Sequence, residues 1–356
     1  MTEAEGYLEE IISALDFSSL NEFLYGHMRT KMTFQELVAQ ISTNGFEALS
    51  KENITAMVFD SIFYELSIAR PMFIKMLVFS LLFSIVHRIL ATKNKYISDI
   101  SFLMIYVTLI VFLMQSFFLV RDIAMAGIDT LIRFLHALIP TYAMTLIFSG
   151  SSMSGAMVYE VAFIMVYLME LLMNSFLSPL IQVFLLVLFL NHLFEEERIS
   201  KLAEFIEKAI NLILKAAFGG VIGLGVVQSL LTPAKDRLAS NVIFSGMSSI
   251  PGIGGFMGSA GEIVLSCGML IKNSVGVIGL IILFVLAVIP VVKIGCFWVM
   301  YHLLSITLQP IADYRITECV SGMARGCDLY LKIILYSMML FFILFSMISV
   351  ATSCII

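Results

Sequence analysis

The chain has 356 residues, of which 60% are apolar and 13% charged, and its mean hydropathy is +1.00. An ordinary soluble domain carries about 25% charged residues. A water-soluble core this apolar would leave too few polar residues to cover its surface, so the composition argues against a soluble domain. The formal net charge is −5 and there is no basic stripe, which gives no support for binding nucleic acid.

Residues 1–71 form an acidic segment that is only patchily apolar, with eleven acidic and four basic residues. Apolar residues recur in it at helical spacing, which predicts two or three short amphipathic helices. These residues are Leu8, Ile11, Ile12 and Leu15, and later Phe34, Leu37, Val38 and Ile41. Thr33, with Glu36 three residues on, matches a capping box and predicts a helix start. We therefore predict a small helical N-terminal region.

From residue 72 onward, the sequence is dominated by apolar runs, most of which reach the roughly 20 residues that a helix needs to cross a bilayer. The runs are 72–91, 100–120, 131–148, 153–173, 176–194, 209–231, 275–297 and 329–350. Runs this long without period-two alternation predict helices and exclude a barrel. We predict an all-α, polytopic membrane protein whose membrane domain, 72–356, has about eight spans. The apolar stretch 298–312 is short, and it could be a span, half a span or an interfacial helix.

Basic residues beside the first span predict its orientation. Arg88, Lys93 and Lys95 follow it closely, which places the first loop in the cytoplasm and the N-terminal region 1–71 outside. The opening residues 1–3 show neither a basic nor an apolar signal segment, so we expect either a trimmed start or a tail that crosses unaided. The side of the C-terminus is left open.

Glycine is concentrated in residues 219–279, which hold 13 of the 22 glycines. Gly219 and Gly223 have the spacing of a tight helix-packing motif. The segment 241–274 is different. Its Pro-Gly-Ile-Gly-Gly sequence disfavours a helix, and the residues on either side of it are apolar. We expect either a re-entrant hairpin or a loop lying on the headgroups, and a functional or partner-binding segment in either case. Its candidate residues are Pro251, Gly252, Gly254, Gly255, Gly258, Lys272 and Asn273.

Two carboxylates lie inside the fourth apolar run. At 100° per residue, Glu160, Tyr167, Glu170 and Asn174 fall within an arc of about 80° and form one polar stripe. Ionisable residues at membrane depth are costly and are usually tied to a partner or a pathway. We expect the stripe to face other helices and not lipid, either hydrogen-bonding a neighbouring span or serving a proton or cation route.

Signatures of catalysis and of metal binding are missing from the sequence. The five cysteines form no C-x-x-C, and there is neither a phosphate-binding G-x-x-x-x-G-K-[ST] loop nor an H-E-x-x-H motif. We therefore predict no catalytic residue, no cofactor and no bound metal, and a protein that is not an enzyme.

An ordered set of short segments in the second half resembles the stage III sporulation protein AE family. The segments are ISKLA at 199–203, VVQ at 226–228, IPGIGG at 250–255, LIKNSVGVIGL at 270–280, LQPI at 308–311 and EC at 318–319. The acidic tail, first span and basic loop extend the resemblance more weakly over nearly the whole chain. Family members look as though they carry a cleaved signal sequence, which this sequence does not show.

The resemblance implies a place and a role. It implies a multi-pass protein of the mother-cell membrane facing the forespore, within a secretion-like transport complex. The implied partners are other subunits of that complex, including an ATPase, and the lipid bilayer, with homo-oligomers as a further expectation. On this basis we predict a scaffold or conduit subunit. The alternative is an autonomous secondary transporter or channel for a small solute or ion, which Glu160, Glu170 and the segment around Pro251 would favour.

Overall fold

The structure is a computed structural model that describes residues 11–27, 33–44, 95–149, 152–193, 199–247 and 254–351, together with single positions between 71 and 86. Throughout these residues the chain is predominantly helical and has no strand, which confirms the predicted all-α fold. The first predicted span, 72–91, is described only at some of those single positions, and the rest of it lies outside the described residues.

Among the elements of the described residues, two short helices precede a series of long ones. The short helices are α1 (Ser18–His27) and α2 (Phe34–Asn44). The long part comprises α3 (Lys95–Phe148), α4 (Ser152–Glu170), a π-helix (Leu171–Leu177), α5 (Ser178–Leu193), α6 (Ser200–Met247), α7 (Gly254–Leu308) and α8 (Tyr314–Ala351). At 1.5 Å per residue, the 55 residues of α7 extend about 83 Å, more than twice the thickness of a hydrocarbon core.

The long helices form an antiparallel bundle. Contacts between α3 and α7 pair rising residue numbers on one helix with falling numbers on the other: Ser116 with Tyr301, Gly127 with Pro290, and Leu138 with Gly279. The run from α4 to α5 also returns along α3, from Phe163 beside His136 to Phe189 beside Tyr106. In chain order, α3, α4–α5, α6, α7 and α8 therefore alternate in direction.

Helix α8 runs parallel to α3 and packs against α3, α5, α6 and α7. Its direction follows from three contacts: Arg315 with Phe102, Tyr330 with Phe117, and Phe345 with Tyr142. Two glycines allow its close approach to α5 and α3, because a Cβ atom at Gly322 would collide with Leu188 and one at Gly326 would lie 2.8 Å from Phe117. Small residues at helix crossings are the usual means of close packing in membranes.

The structure joins stretches that the sequence analysis treated as separate. The predicted spans 100–120 and 131–148 are one unbroken helix, α3, and 298–308 continues the span 275–297 within α7. Three of the ten residues between the first two runs are charged, but the helix continues through them, and Asp129 and Arg133 form an i,i+4 ion pair of 2.9 Å. The charged side chains lower the hydropathy of this stretch, but the helical backbone continues through it. The number of membrane crossings stays a prediction.

The N-terminal helices pack on the bundle as amphipathic elements. The capping box is confirmed, since the Thr33 amide donates to Glu36 (3.0 Å) and the Glu36 amide donates to the Thr33 hydroxyl (3.2 Å). Phe34 and Val38 are fully buried on the apolar side of α2, which contacts α7. Phe23 of α1 lies 5.4 Å from the Phe134 ring of α3, measured between centroids. The helical nature of this region is confirmed for the described residues, and its extracytoplasmic side stays a prediction.

Candidate functional site

The outer surface of the bundle carries an exposed apolar band on α3, α5 and α7. Its members include Val107, Val111, Val183, Leu186, Leu190, Val299, Leu303 and Ile306, each exposed by 44% or more. At one end of the band, the Arg315 guanidinium lies 3.6 Å from the centroid of the Phe102 ring. At the other end, Arg121 pairs with Asp122 at 2.9 Å. From Phe102 to Arg121 is about 29 Å of helix, which matches a hydrocarbon core of about 30 Å.

Charged side chains mark the Arg121 end of this band on more than one helix. Besides Arg121 and Asp122 on α3, Asp328 and Lys332 of α8 form an i,i+4 pair at 2.6 Å. Lys293 is half-buried on α7 close to Pro290, which Gly127 of α3 contacts. Charges grouped at one level of a bundle are typical of a membrane–water boundary, because ionised groups avoid hydrocarbon.

Three buried tyrosines hold the helices together inside the apolar band. The Tyr106 hydroxyl donates to the Phe189 carbonyl at 3.0 Å. Tyr301 shares a short hydrogen bond with Ser116, and Tyr330 shares one of 3.4 Å with Ser178. Such bonds between membrane helices contribute on the order of 0.6 kcal/mol each. Sequence analysis missed these residues, because a single tyrosine in an apolar run gives no sign of its partner.

The predicted polar stripe lies on the surface of the single chain. Glu160, Tyr167 and Asn174 are exposed and Glu170 is half-buried. The opposite side of α4 is buried in the bundle, through Ala162, Val166, Met169 and Met173. No described helix of the same chain covers the stripe, so its predicted contact with helices would have to involve another subunit, and it stays a prediction.

The π-helix follows Glu170 directly and includes Asn174. At its end, the Ser178 amide bonds to the Met173 carbonyl five residues back. Pro179 comes next, and proline lacks the N–H that an α-helix would supply to the carbonyl four residues earlier. The wider π turn accommodates this break. π-Helical segments occur often at functional sites, and the sequence analysis did not predict this one.

The glycine-rich segment is largely helical where the structure describes it. Helix α6 extends to Met247 and α7 begins at Gly254, so residues 254–274 continue into the following span. Gly254, Gly255 and Gly258 lie in the first turns of α7, whereas Pro251 and Gly252 lie outside the described residues. The described part therefore consists of the end of α6 and the start of α7. Whether the segment enters the membrane stays a prediction.

The two remaining candidates of this segment lie on α7. Lys272 is 2% exposed, although its type is almost always found at the surface, and the adjacent Asn273 is exposed. The structure therefore does not bring Lys272 to the surface for a partner, while it leaves Asn273 accessible. The expected tight packing at Gly219 and Gly223 is wrong for the single chain, because a Cβ atom at either position would have no neighbour within 4 Å.

Sequence analysis also missed a polar face on α6 and α8, which lies at the depth of the apolar band and ends at its charged boundary. We define this polar face by eight residues: Lys201, Glu204, Lys208 and Lys215 of α6, and Glu318, Arg325, Asp328 and Lys332 of α8. Their separations of three, four or seven residues place each set on one side of its helix. That spacing is present in the sequence, but the sequence does not show that the two helices lie side by side.

A bundle of apolar helices with these boundaries defines an integral, multi-pass membrane protein. Four described stretches are long and apolar enough to cross a membrane: Ile100–Ile147, Tyr159–His192, Ser266–Leu308 and Tyr314–Ser346. Among the residues that the structure describes, no three His, Cys, Asp or Glu side chains are grouped as they would be to hold a metal ion.

The chain belongs to the stage III sporulation protein AE family, whose family model matches residues 32–352. It is 24% identical over 334 residues to the stage III sporulation protein AE of Bacillus subtilis, and the match covers 91% of this chain and 82% of that protein. No solved structure matches the chain.

Proposed function

We propose that this chain is a non-enzymatic membrane subunit of the sporulation transport complex, acting as scaffold or conduit between mother cell and forespore. The observation that carries the proposal is family membership over residues 32–352, combined with a bundle of helices that can cross a bilayer. On this proposal the protein lies in the mother-cell membrane facing the forespore. The polar stripe at Glu160 and Glu170, exposed or half-buried in the single chain, is then available to other subunits.

The energy for transport comes, on this proposal, from a different subunit. The sequence has no G-x-x-x-x-G-K-[ST] loop to hold nucleotide phosphates. An ATPase partner is therefore part of the proposal, together with other membrane subunits. The exposed Asn273 and the sequence segment around Pro251 are the proposed partner contacts.

Deletion of the gene in the sporulating strain tests this role. We expect forespore development to stop after engulfment, with full rescue by the intact gene. Tagged protein isolated from sporulating cells in mild detergent should bring down other membrane subunits and an ATPase. Normal spores from the deletion strain would refute the proposal, and isolation of the protein alone would refute the complex.

A second candidate function, an autonomous transporter or channel, is favoured by Glu170. Glu170 is half-buried and lies directly before the π-helix, and π-helical segments are frequent at functional sites. Purified protein in liposomes would then move a small solute or ion, and Glu170→Gln would abolish the flux. The matched control is Glu160→Gln, because Glu160 is exposed on the same helix and lies eleven residues before the π-helix. Absence of flux without partners would leave the subunit role as the better account.

A further inference from the structure

The polar face begins on α6 as a straight stripe of charges. Lys201, Glu204, Lys208 and Lys215 are exposed and lie on one side of the helix over 14 residues, or about 21 Å. Glu204 and Lys208 form an ion pair of 2.6 Å, and their side chains remain 62% and 73% exposed. The charges of Glu204 and Lys208 are thus paired within the chain while staying open to the surroundings.

Helix α8 carries the matching part of the face. Arg325 is exposed and Glu318 is half-buried seven residues before it. Asp328 and Lys332 continue the same side and form their own pair at 2.6 Å. Beyond Lys332 the same side of α8 becomes apolar, with Met339 53% exposed. The charged part of α8 therefore ends at Lys332, at the same end of the apolar band as Arg121 and Asp122.

The two stripes are turned toward each other. Phe218 lies fourteen residues after Glu204, on the same side of α6, and its ring meets the Tyr336 ring of α8 edge-on at 5.8 Å. The other flank of α6 faces α4, where Ile213, Ala216 and Gly220 line an apolar groove of about 620 Å³. The charged side of α6 therefore continues onto the exposed side of α8, and the two form one surface.

This surface lies at the depth of the apolar band. The Ile199 amide donates to the Asn191 side chain at 3.0 Å, so α6 starts beside the end of α5. From there α6 runs antiparallel to α5. On α8, Gly322 packs against Leu188 and Gly326 against Leu185. The charges at 201–208 and 318–325 are therefore level with 183–190 of α5. At this depth the exposed residues of α5 are apolar.

We propose that the polar face lines an aqueous pathway through the membrane, an inference that rests on the proposed role as a conduit. Exposed charges facing hydrocarbon would be costly at this depth, so the face needs either water or another protein against it. Water fits better, because Glu204 and Lys208 already supply each other's countercharge, as Asp328 and Lys332 do at the boundary of the band. Covering them with protein would remove their hydration without adding partners. A single bundle leaves the face open, so neighbouring subunits close the rest of the wall.

Accessibility of introduced cysteines to a membrane-impermeant maleimide tests this assignment in membranes of sporulating cells. The background carries Cys296→Ala and Cys354→Ala, while the native Cys267, Cys319 and Cys327 remain because all three are buried. Reaction at these three buried thiols would report unfolding in any variant. A detergent-denatured sample gives the full extent of labelling for each protein.

The test positions are Glu204→Cys and Arg325→Cys on the polar face, with Leu186→Cys and Leu303→Cys as controls on the apolar band. The controls are 47% and 51% exposed, so lack of label there would not reflect burial within the chain. We expect full labelling at both polar positions and loss of labelling at both controls. Lys208→Cys, one turn from Glu204, replaces any polar-face variant whose buried thiols react.

Two outcomes would overturn the pathway. Equal labelling of all positions would place the whole band in water, and no labelling anywhere would mean that protein covers the polar face. Either result would leave membership of the complex untouched. Conversely, normal spores from the deletion strain would refute the proposed function without changing the labelling pattern, so the two failures are distinguishable.

Discussion

The crossing of α3 and α7 at Gly127 and Pro290 makes a quantitative prediction. A Cβ atom on Gly127 would lie 2.7 Å from Cβ and 2.8 Å from Cγ of the proline ring. The ring cannot rotate away, so Gly127→Ala must push the two helices apart. Overpacking of this kind costs about 1–3 kcal/mol, against a gain of about 1 kcal/mol from replacing a helical glycine by alanine.

Gly219→Ala is the matched control, because that glycine is also helical but its Cβ would meet nothing within 4 Å. It should therefore stabilise the purified chain by roughly 0.5–1 kcal/mol. Gly279→Ala should fall between the two, since the colliding atom is the end of the flexible Leu138 side chain, 2.7 Å away. The free energy of unfolding of the three variants should rank Gly219→Ala, then Gly279→Ala, then Gly127→Ala.

Unfolding of the full chain in detergent, followed by circular dichroism against temperature, measures the order. The result that would refute the reasoning is a Gly127→Ala protein as stable as Gly219→Ala. That outcome would mean that α3 and α7 do not cross at Pro290, and the antiparallel arrangement of the bundle would have to be revised.

Three further substitutions test separate contacts. Tyr301→Phe, which removes the hydrogen bond to Ser116, should lower the free energy of unfolding by about 0.6 kcal/mol, and no change would argue against the bond. Arg315→Met should cost about 0.5–2 kcal/mol by removing the cation from the Phe102 ring, again by thermal unfolding, and a more stable variant would contradict that contact. Thr33→Ala should destabilise the start of α2 by about 1 kcal/mol, seen as faster proteolysis of the N-terminal region, and unchanged proteolysis would refute the capping box.

Much of the fold follows from local pattern. Apolar runs of membrane-spanning length predict helices. In hydrocarbon every backbone N–H and C=O group must be hydrogen-bonded within the protein, which only a helix or a closed barrel achieves. The capping box at Thr33 and Glu36 is likewise a local signal, and its reciprocal hydrogen bonds are present. These features depend on residues within a few positions of each other, which is why the sequence reveals them.

Other features depend on distant parts of the chain. The charged stretch after Arg121 lowers hydropathy without breaking the helix, so sequence suggested an end where α3 continues. The open space at Gly219 and Gly223 shows only in three dimensions, because a packing motif does not name its partner. The polar face needs α6 and α8 side by side before its charges form one surface. The spacing of the charged residues along one helix could have revealed only the part of the polar face that lies on that helix.

The central claim is that the apolar band from Phe102 to Arg121 lies in the bilayer, and the single tryptophan of the chain can test it without mutation. Trp298 is half-buried on α7, three residues from Tyr301, which bonds Ser116 within the band. In reconstituted vesicles, phospholipids with brominated acyl chains should quench its fluorescence, and aqueous iodide should not. Quenching by iodide alone, with none from the brominated lipids, would contradict the placement of the band in the membrane.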